Sequence, residues 1–275
     1  MVAIVSACGD GAPETSQREL PSSTTTTVPA NDVPAIAVTR VGTYPVGTNP
    51  KAVAADLRTV WVAVNSDDAV LRIAPASGAV ADTVSLKSGP IGAALGPDAL
   101  WVTRYDAGTV THLDPTSGRF VAEVTVGDGP YGIALGGGAL WVAENGAGTV
   151  ARIDPVRHEV TGRVPVGTKP FGVLYAAGSL WVTNDGAATV TRVDPATGRI
   201  LARVDLDGRP FGLASDGAAV WASDPGAGRI WRIDPNGNRV TGAIDPGVAP
   251  WGISVTATDF WVTSDAEGTV TRLRR

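Results

Sequence analysis

Sulfur, lysine and helix-forming pattern are all scarce in this chain, and each shortage excludes something. A single cysteine, Cys8, rules out an intramolecular disulfide. Charged residues make up only 18% of the sequence, with a net charge of -5 and a pI near 5.0, so there is no basic face of the kind nucleic acid requires. Lysine occurs only at positions 51, 87 and 169, and histidine only at 112 and 158. No run of 18 apolar residues is present to read as a transmembrane helix, and no segment holds a 3.6-residue apolar period long enough to predict a helix. The familiar catalytic signatures are also missing: no Gly-x-Ser-x-Gly elbow, no His-Glu-x-x-His and no paired-cysteine motif.

What the chain does have is glycine (34 residues), proline (20) and a 44% apolar content, the profile of many short strands joined by tight turns. Tryptophan recurs every forty residues, at Trp61, Trp101, Trp141, Trp181, Trp221 and Trp261, and proline keeps the same step at Pro50, Pro90, Pro130, Pro170, Pro210 and Pro250. A fixed period of this length marks a repeat architecture. Within residues 170–209 four short apolar runs alternate with Ala176-Ala177-Gly178, Asp185-Gly186-Ala187 and Pro195-Ala196-Thr197-Gly198, each carrying turn chemistry. Four strands of about six residues and four links of about four fill one repeat.

Six such repeats predict an all-β, six-bladed β-propeller of four-stranded blades. The last repeat stops after its third strand, at Leu273, and the missing strand is found at the front, from Ile36 to Val41 with an extension toward Val46. The N-terminal strand is therefore expected to complete the last blade and close the ring, which removes a free edge. The propeller is assigned to residues 36–275.

The tryptophans read as packing between blades. The Asp-Pro steps at 114, 154, 194 and 234 read as turn openers. Arg72, His112, Arg152, Arg192, Arg232 and Arg272 read as a column covering blade surfaces, in which His112 occupies an arginine position.

The N-terminal residues carry a different signal. Val5-Ser6-Ala7-Cys8 resembles a bacterial lipoprotein signal-peptidase site, so residues 1–10 are read as a signal remnant with Cys8 as the lipidated residue. Residues 11–35, rich in Ser, Thr and Pro, hold too little apolar surface to offset ordering and are read as a disordered tether. Together these predict an extracytoplasmic protein, secreted or anchored to the outer face of a bacterial membrane. Contact with the membrane is expected only through the lipid, and the molecule is expected to be a monomer.

Leu180-Trp181-Val182-Thr183-Asn184 followed by Thr189-Val190-Thr191-Arg192-Val193-Asp194-Pro195-Ala196-Thr197-Gly198 resembles the YVTN-type propeller repeat. Gly89-Pro90-Ile91-Gly92 with Gly96-Pro97-Asp98-Ala99-Leu100-Trp101-Val102-Thr103 is similar to the repeats of virginiamycin B lyase. The second resemblance implies a histidine and a glutamate at the channel together with magnesium. Glu144 stands where that repeat has glutamate, but neither histidine falls near the channel mouth in the repeat alignment, and the family is usually seven-bladed.

Two columns are expected at one end of the central channel. One follows the periodic proline: Lys51, Ile91, Tyr131, Phe171, Phe211 and Trp251. The other lies three residues after each tryptophan: Val64, Arg104, Glu144, Asn184, Asp224 and Ser264. With Tyr105, Asn145, Asp185 and Asp265 they suggest an aromatic mouth edged by polar groups, suited to a small molecule, glycan or envelope protein; the other reading is that they pack loops and cap turns. No cofactor is assigned. Glu144, Asn184 and Asp224 are the only oxygen set that suggests Ca²⁺ or Mg²⁺, as in gluconolactonase-like propellers. The sequence thus leaves a binding module, a metal-dependent lyase or lactonase, and a structural scaffold.

Overall fold

The computed structural model describes residues 32–184 and 186–275; Cys8, most of the expected tether and Asp185 lie outside them. Among the described residues the strands form six antiparallel four-stranded sheets. Blades 1 to 5 take their strands in chain order, over residues 50–85, 90–125, 130–165, 170–205 and 213–244. Blade 6 combines Ile253–Val255, Asp259–Ser264 and Thr269–Arg274 with the N-terminal strand Thr39–Pro45, which pairs with Thr269–Arg274 as the ring-closing fourth strand. This is the six-bladed propeller expected from the repeats. Closure begins three residues later than the sequence suggested.

Residues 33–35, read as the end of the tether, are docked on the propeller together with Ile36. Ile36 N donates to Ala243 O at 2.7 Å and Ala243 N to Pro34 O at 3.0 Å, so this segment runs beside the outer strand of blade 5. Val33 is buried in the core against Trp231 and Ala243. A short apolar patch in an otherwise polar tract was enough to dock once an unpaired strand edge was available.

Alternation along the second strand builds the core. Trp181 faces blade 5, in a cluster with Val220, Ala222 and Trp231. Its neighbours Leu180 and Val182 face blade 3, packing on Trp141, Ala143 and Val164. Each second strand is thereby buried on both sides, and Trp61, Trp101, Trp181 and Trp261 are almost wholly enclosed. The third-strand column covers the indoles: Arg192 lies 5.2 Å and Arg272 5.4 Å from the ring of the tryptophan paired with it. In blade 2 His112 takes this place, stacked on Trp101 with centroids 4.3 Å apart.

The Asp-Pro aspartates hold turns. Asp194 accepts from the backbone N–H groups of Ala196 and Thr197, and these bonds hold its carboxyl below the usual carboxylate range. Asp114, Asp154 and Asp234 behave alike for the same kind of reason.

Candidate functional site

The first strands surround the axis and line the channel. Their opening residues form an almost continuous circuit of side chains. Tyr105 meets Tyr131 edge-on at 6.0 Å, Tyr131 meets Phe171 at 4.7 Å, Phe171 meets Phe211 at 4.8 Å and Phe211 meets Trp251 at 4.1 Å. Lys51 Nζ sits 3.7 Å over the Trp251 ring and 3.1 Å from Asp265 Oδ2. Ile91 fills the remaining place between Lys51 and Tyr131. The cavity lined by Lys51, Ile91, Tyr131, Phe171, Phe211 and Trp251, with Tyr105 and Asp265 outside its lining, is about 80 Å³, well below the roughly 300–1,000 Å³ of a pocket that engulfs a drug-sized ligand. It has room for one inserted group, with the rest of a ligand on the rim. Tyr105 is exposed there, Tyr131, Phe171 and Trp251 are half-buried, and Phe211 is buried.

Two features beneath the rings set this geometry. Gly92, Gly132, Gly172, Gly212 and Gly252 lie where each first strand approaches the next, and a Cβ at Gly92, Gly132, Gly172 or Gly252 would collide with the neighbouring blade's carbonyl oxygen. Blade 1 carries Ala52 in this ring. A hydroxyl then bridges the blades: Gly172 N donates to Thr183 Oγ1 at 2.8 Å, and Thr183 Oγ1 donates to Phe211 O at 2.8 Å. Thr103, Ser223 and Thr263 make the same bridge, whereas blades 1 and 3 place Ala63 and Ala143 there. The carbonyls so fixed belong to the mouth residues themselves. Both features were visible in the sequence, as glycine two after the periodic proline and a hydroxyl two after the tryptophan, and only their contact across blades gives them meaning.

Deeper in, Val53, Ala93, Ile133, Val173, Leu213 and Ile253 form a waist between this cavity and a second one of about 190 Å³ at the far end. The far cavity is lined mainly by aliphatic side chains, with Ser215 and Ser254 among them.

The second expected column reaches the same end of each blade, since Pro90 pairs with Arg104, Pro130 with Glu144 and Pro170 with Asn184. Its side chains, however, are absent from the cavity lining and turn into the seams between blades. Glu144 is buried, receives Arg163 Nε at 2.9 Å and Nη2 at 3.0 Å on its two oxygens, and accepts from Thr149 Oγ1 at 2.5 Å. Asp224, also buried, accepts from the backbone N–H of Arg209 and Ala227 and from Trp231 Nε1 at 3.2 Å. Asn184 donates to Val166 O and Thr168 O. Arg104 donates to Lys87 O and pairs with Glu123, and Asn145 donates to Pro170 O.

These contacts bear on the cation suggested at Glu144, Asn184 and Asp224. The carboxylates are spent on protein donors and Asn184 presents its N–H groups inward, so the three residues do not fit a resident metal as placed. Among the described residues no group of three or more His, Cys, Asp and Glu is arranged to hold one. The Arg163–Glu144 pair recurs one repeat earlier with its charges exchanged, as Glu123 with Arg104, a periodic signal that only the contact between the two positions makes readable.

The virginiamycin B lyase family pattern matches residues 32–275, the whole propeller. The chain belongs to the virginiamycin B lyase family. The match falls on the second of the two resemblances read from the repeats. No curated protein sequence matches the chain.

Among solved structures, the Kuenenia stuttgartiensis hydrazine synthase is similar at TM-score 0.67 and 16% identity, covering 82% of this chain and 96% of that one. A streptogramin B lyase is similar at TM-score 0.65 and 15% identity, covering 85% and 96%. The Myxococcus xanthus glutaminyl cyclase follows at TM-score 0.55 and 14% identity, covering 87% and 98%. Three different chemistries in three names show that the shared fold does not itself select a reaction.

Proposed function

We propose that this protein is an extracytoplasmic binding propeller that takes a ring-bearing group of a small molecule, glycan or protein partner into its aromatic mouth. The observation that carries this reading is the unbroken run of ring contacts from Tyr105 to Trp251, ending on the Lys51–Asp265 pair. Edge-on and tilted rings with partly open faces offer a large apolar contact at low ordering cost, and the ion pair beside them offers one polar anchor. Acid–base chemistry at this mouth would fall to Lys51, Asp265 or the tyrosines, because both histidines sit toward the opposite end of their blades. Lipidation at Cys8 would hold this mouth above a membrane.

A second reading, a metal-dependent lyase or lactonase, is favoured by membership of the lyase family. One experiment separates the two. Purified protein is titrated with aromatic glycosides, cell-wall fragments and streptogramins, with and without Mg²⁺ or Ca²⁺, following both heat of binding and product by mass spectrometry. Binding that Trp251→Ala and Phe171→Ala weaken, with ligand recovered intact, supports the binding module. Metal-dependent turnover replaces it with the enzyme. Neither binding nor turnover removes the mouth as a small-ligand site.

A further inference from the structure

The chain's only two histidines meet in space. His112 Nδ1 lies 3.1 Å from His158 Nε2, across the seam between blades 2 and 3 and far from the aromatic mouth. Each is a departure from the repeat. His112 replaces the arginine found at positions 72, 152, 192, 232 and 272. His158 occupies a left-handed turn position (φ 57°) that is otherwise Gly78, Gly118, Gly198 or Asn238. The same two positions touch at the blade 4–5 seam, where Arg192 Nη1 reaches Asn238 Oδ1 at 3.2 Å at the same sequence separation of 46. One seam has therefore exchanged both partners of one contact for imidazoles, and it placed one of them in a backbone conformation that glycine and asparagine adopt more readily.

We propose that His112 and His158 form a chelating site for a divalent first-row cation of the imidazole-preferring class, Cu²⁺ foremost. At the metal–nitrogen distance of about 2.0–2.1 Å usual for imidazole, nitrogens at this separation subtend about 98° at a shared cation. That angle suits the tetragonal geometry of Cu²⁺ or Ni²⁺, and Cu²⁺ binds tightest of the series. Both rings are half-buried, so water can complete the coordination.

Without a cation the rings meet almost end to end, with centroids 5.3 Å apart and planes at 41°, and they share one proton. Binding shifts that proton to the other nitrogen of the ring that donated it and tilts the rings until both lone pairs converge, so each neutral ring carries its one proton on the nitrogen facing away from the cation. Stacking of His112 on Trp101 and the 5.5 Å approach of His158 to the same indole limit the freedom that chelation must remove.

The test uses the full chain and two variants that restore the residue of the other repeats, His112→Arg and His158→Asn, so that both are expected to fold. Cu²⁺ and Zn²⁺ are titrated into each, reading tryptophan fluorescence, calorimetry and, for Cu²⁺, the nitrogen couplings in the electron paramagnetic resonance spectrum. Cys8 and the terminal amine give the same background in all three proteins. The wild type should bind one further equivalent of Cu²⁺ with a two-nitrogen signature and quench Trp101, and either variant should weaken this step about tenfold or more. Binding that is equal in all three proteins overturns the proposal. So does a wild type that binds no more than the variants, which would leave a hydrogen-bonded pair and nothing further.

Discussion

The tryptophan column and the mouth column occupy neighbouring strands of the same blades, yet they treat repetition in opposite ways. The tryptophan column never changes residue, and its members are buried between blades. The mouth column changes at nearly every blade, from Lys51 and Ile91 through Tyr131, Phe171 and Phe211 to Trp251, and most of its members keep an open face. An inter-blade slot of fixed shape accepts one side chain six times. A rim facing solvent is free to differ, and difference is what a ligand can read.

The comparison breaks if the two columns prove energetically alike. Trp181→Ala should cost about 3–5 kcal/mol in urea unfolding, because it empties a closed slot between blades 4 and 5. Phe171→Ala, losing only part of a half-buried ring, should cost about 1–2 kcal/mol while removing ligand-induced stabilisation. Equal losses would make the mouth a core and end its candidacy as a site.

The hydroxyl bridge offers a sharper internal control. Thr183→Val leaves Gly172 N and Phe211 O without their shared partner and should cost about 1–3 kcal/mol. Ala143→Ser, which supplies a hydroxyl to blade 3, one of the two blades that lack it, should gain about 0.5–1.5 kcal/mol by the same measurement.

Acid should loosen blade 6 and the turns. Burial alone raises the Asp259 pKa, but hydrogen bonds from Arg272, Thr258 and Arg274 more than offset it, so its carboxyl ends below the usual range. A carboxyl lowered on folding contributes stability that is fully present above its unfolded pKa, about 3.9, and lost as pH falls through the lowered folded value. The Asp114, Asp154, Asp194 and Asp234 turns add to the same limb. The melting temperature should therefore fall steeply below about pH 4, and Asp259→Asn should flatten that limb.

The smallest stability effect is expected at Lys51→Gln, about 1 kcal/mol or less for a partly exposed pair. Its consequence should be read in ligand affinity instead, and an unchanged affinity would confine recognition to the rings.

Blade number, strand order and ring closure were all legible in the sequence, because a forty-residue period leaves little choice once four strands fill each repeat. The mouth was legible only in part. Alternation around the periodic proline put Tyr131, Phe171, Phe211 and Trp251 in one ring, but no pattern showed that they touch one another and leave only a small cavity. Glu144, Asn184 and Asp224 shared one repeat position and so looked like one site. A strand end offers two directions, and the buried seams, with Arg163 and the backbone N–H groups waiting, took these side chains.

The sequence by itself determined what repetition can encode: the architecture, the inter-blade tryptophans and the turn aspartates, each satisfied mostly within one blade and its neighbour. The tertiary structure decided what depends on residues distant in the chain arriving at one point: the circuit of rings on Lys51 and the meeting of His112 with His158 across blade seams, and the Glu144–Arg163 pair between two strands of blade 3. The physical reason is that local period fixes which face a side chain leaves from, while the partner it finds is set by how six blades close around one axis.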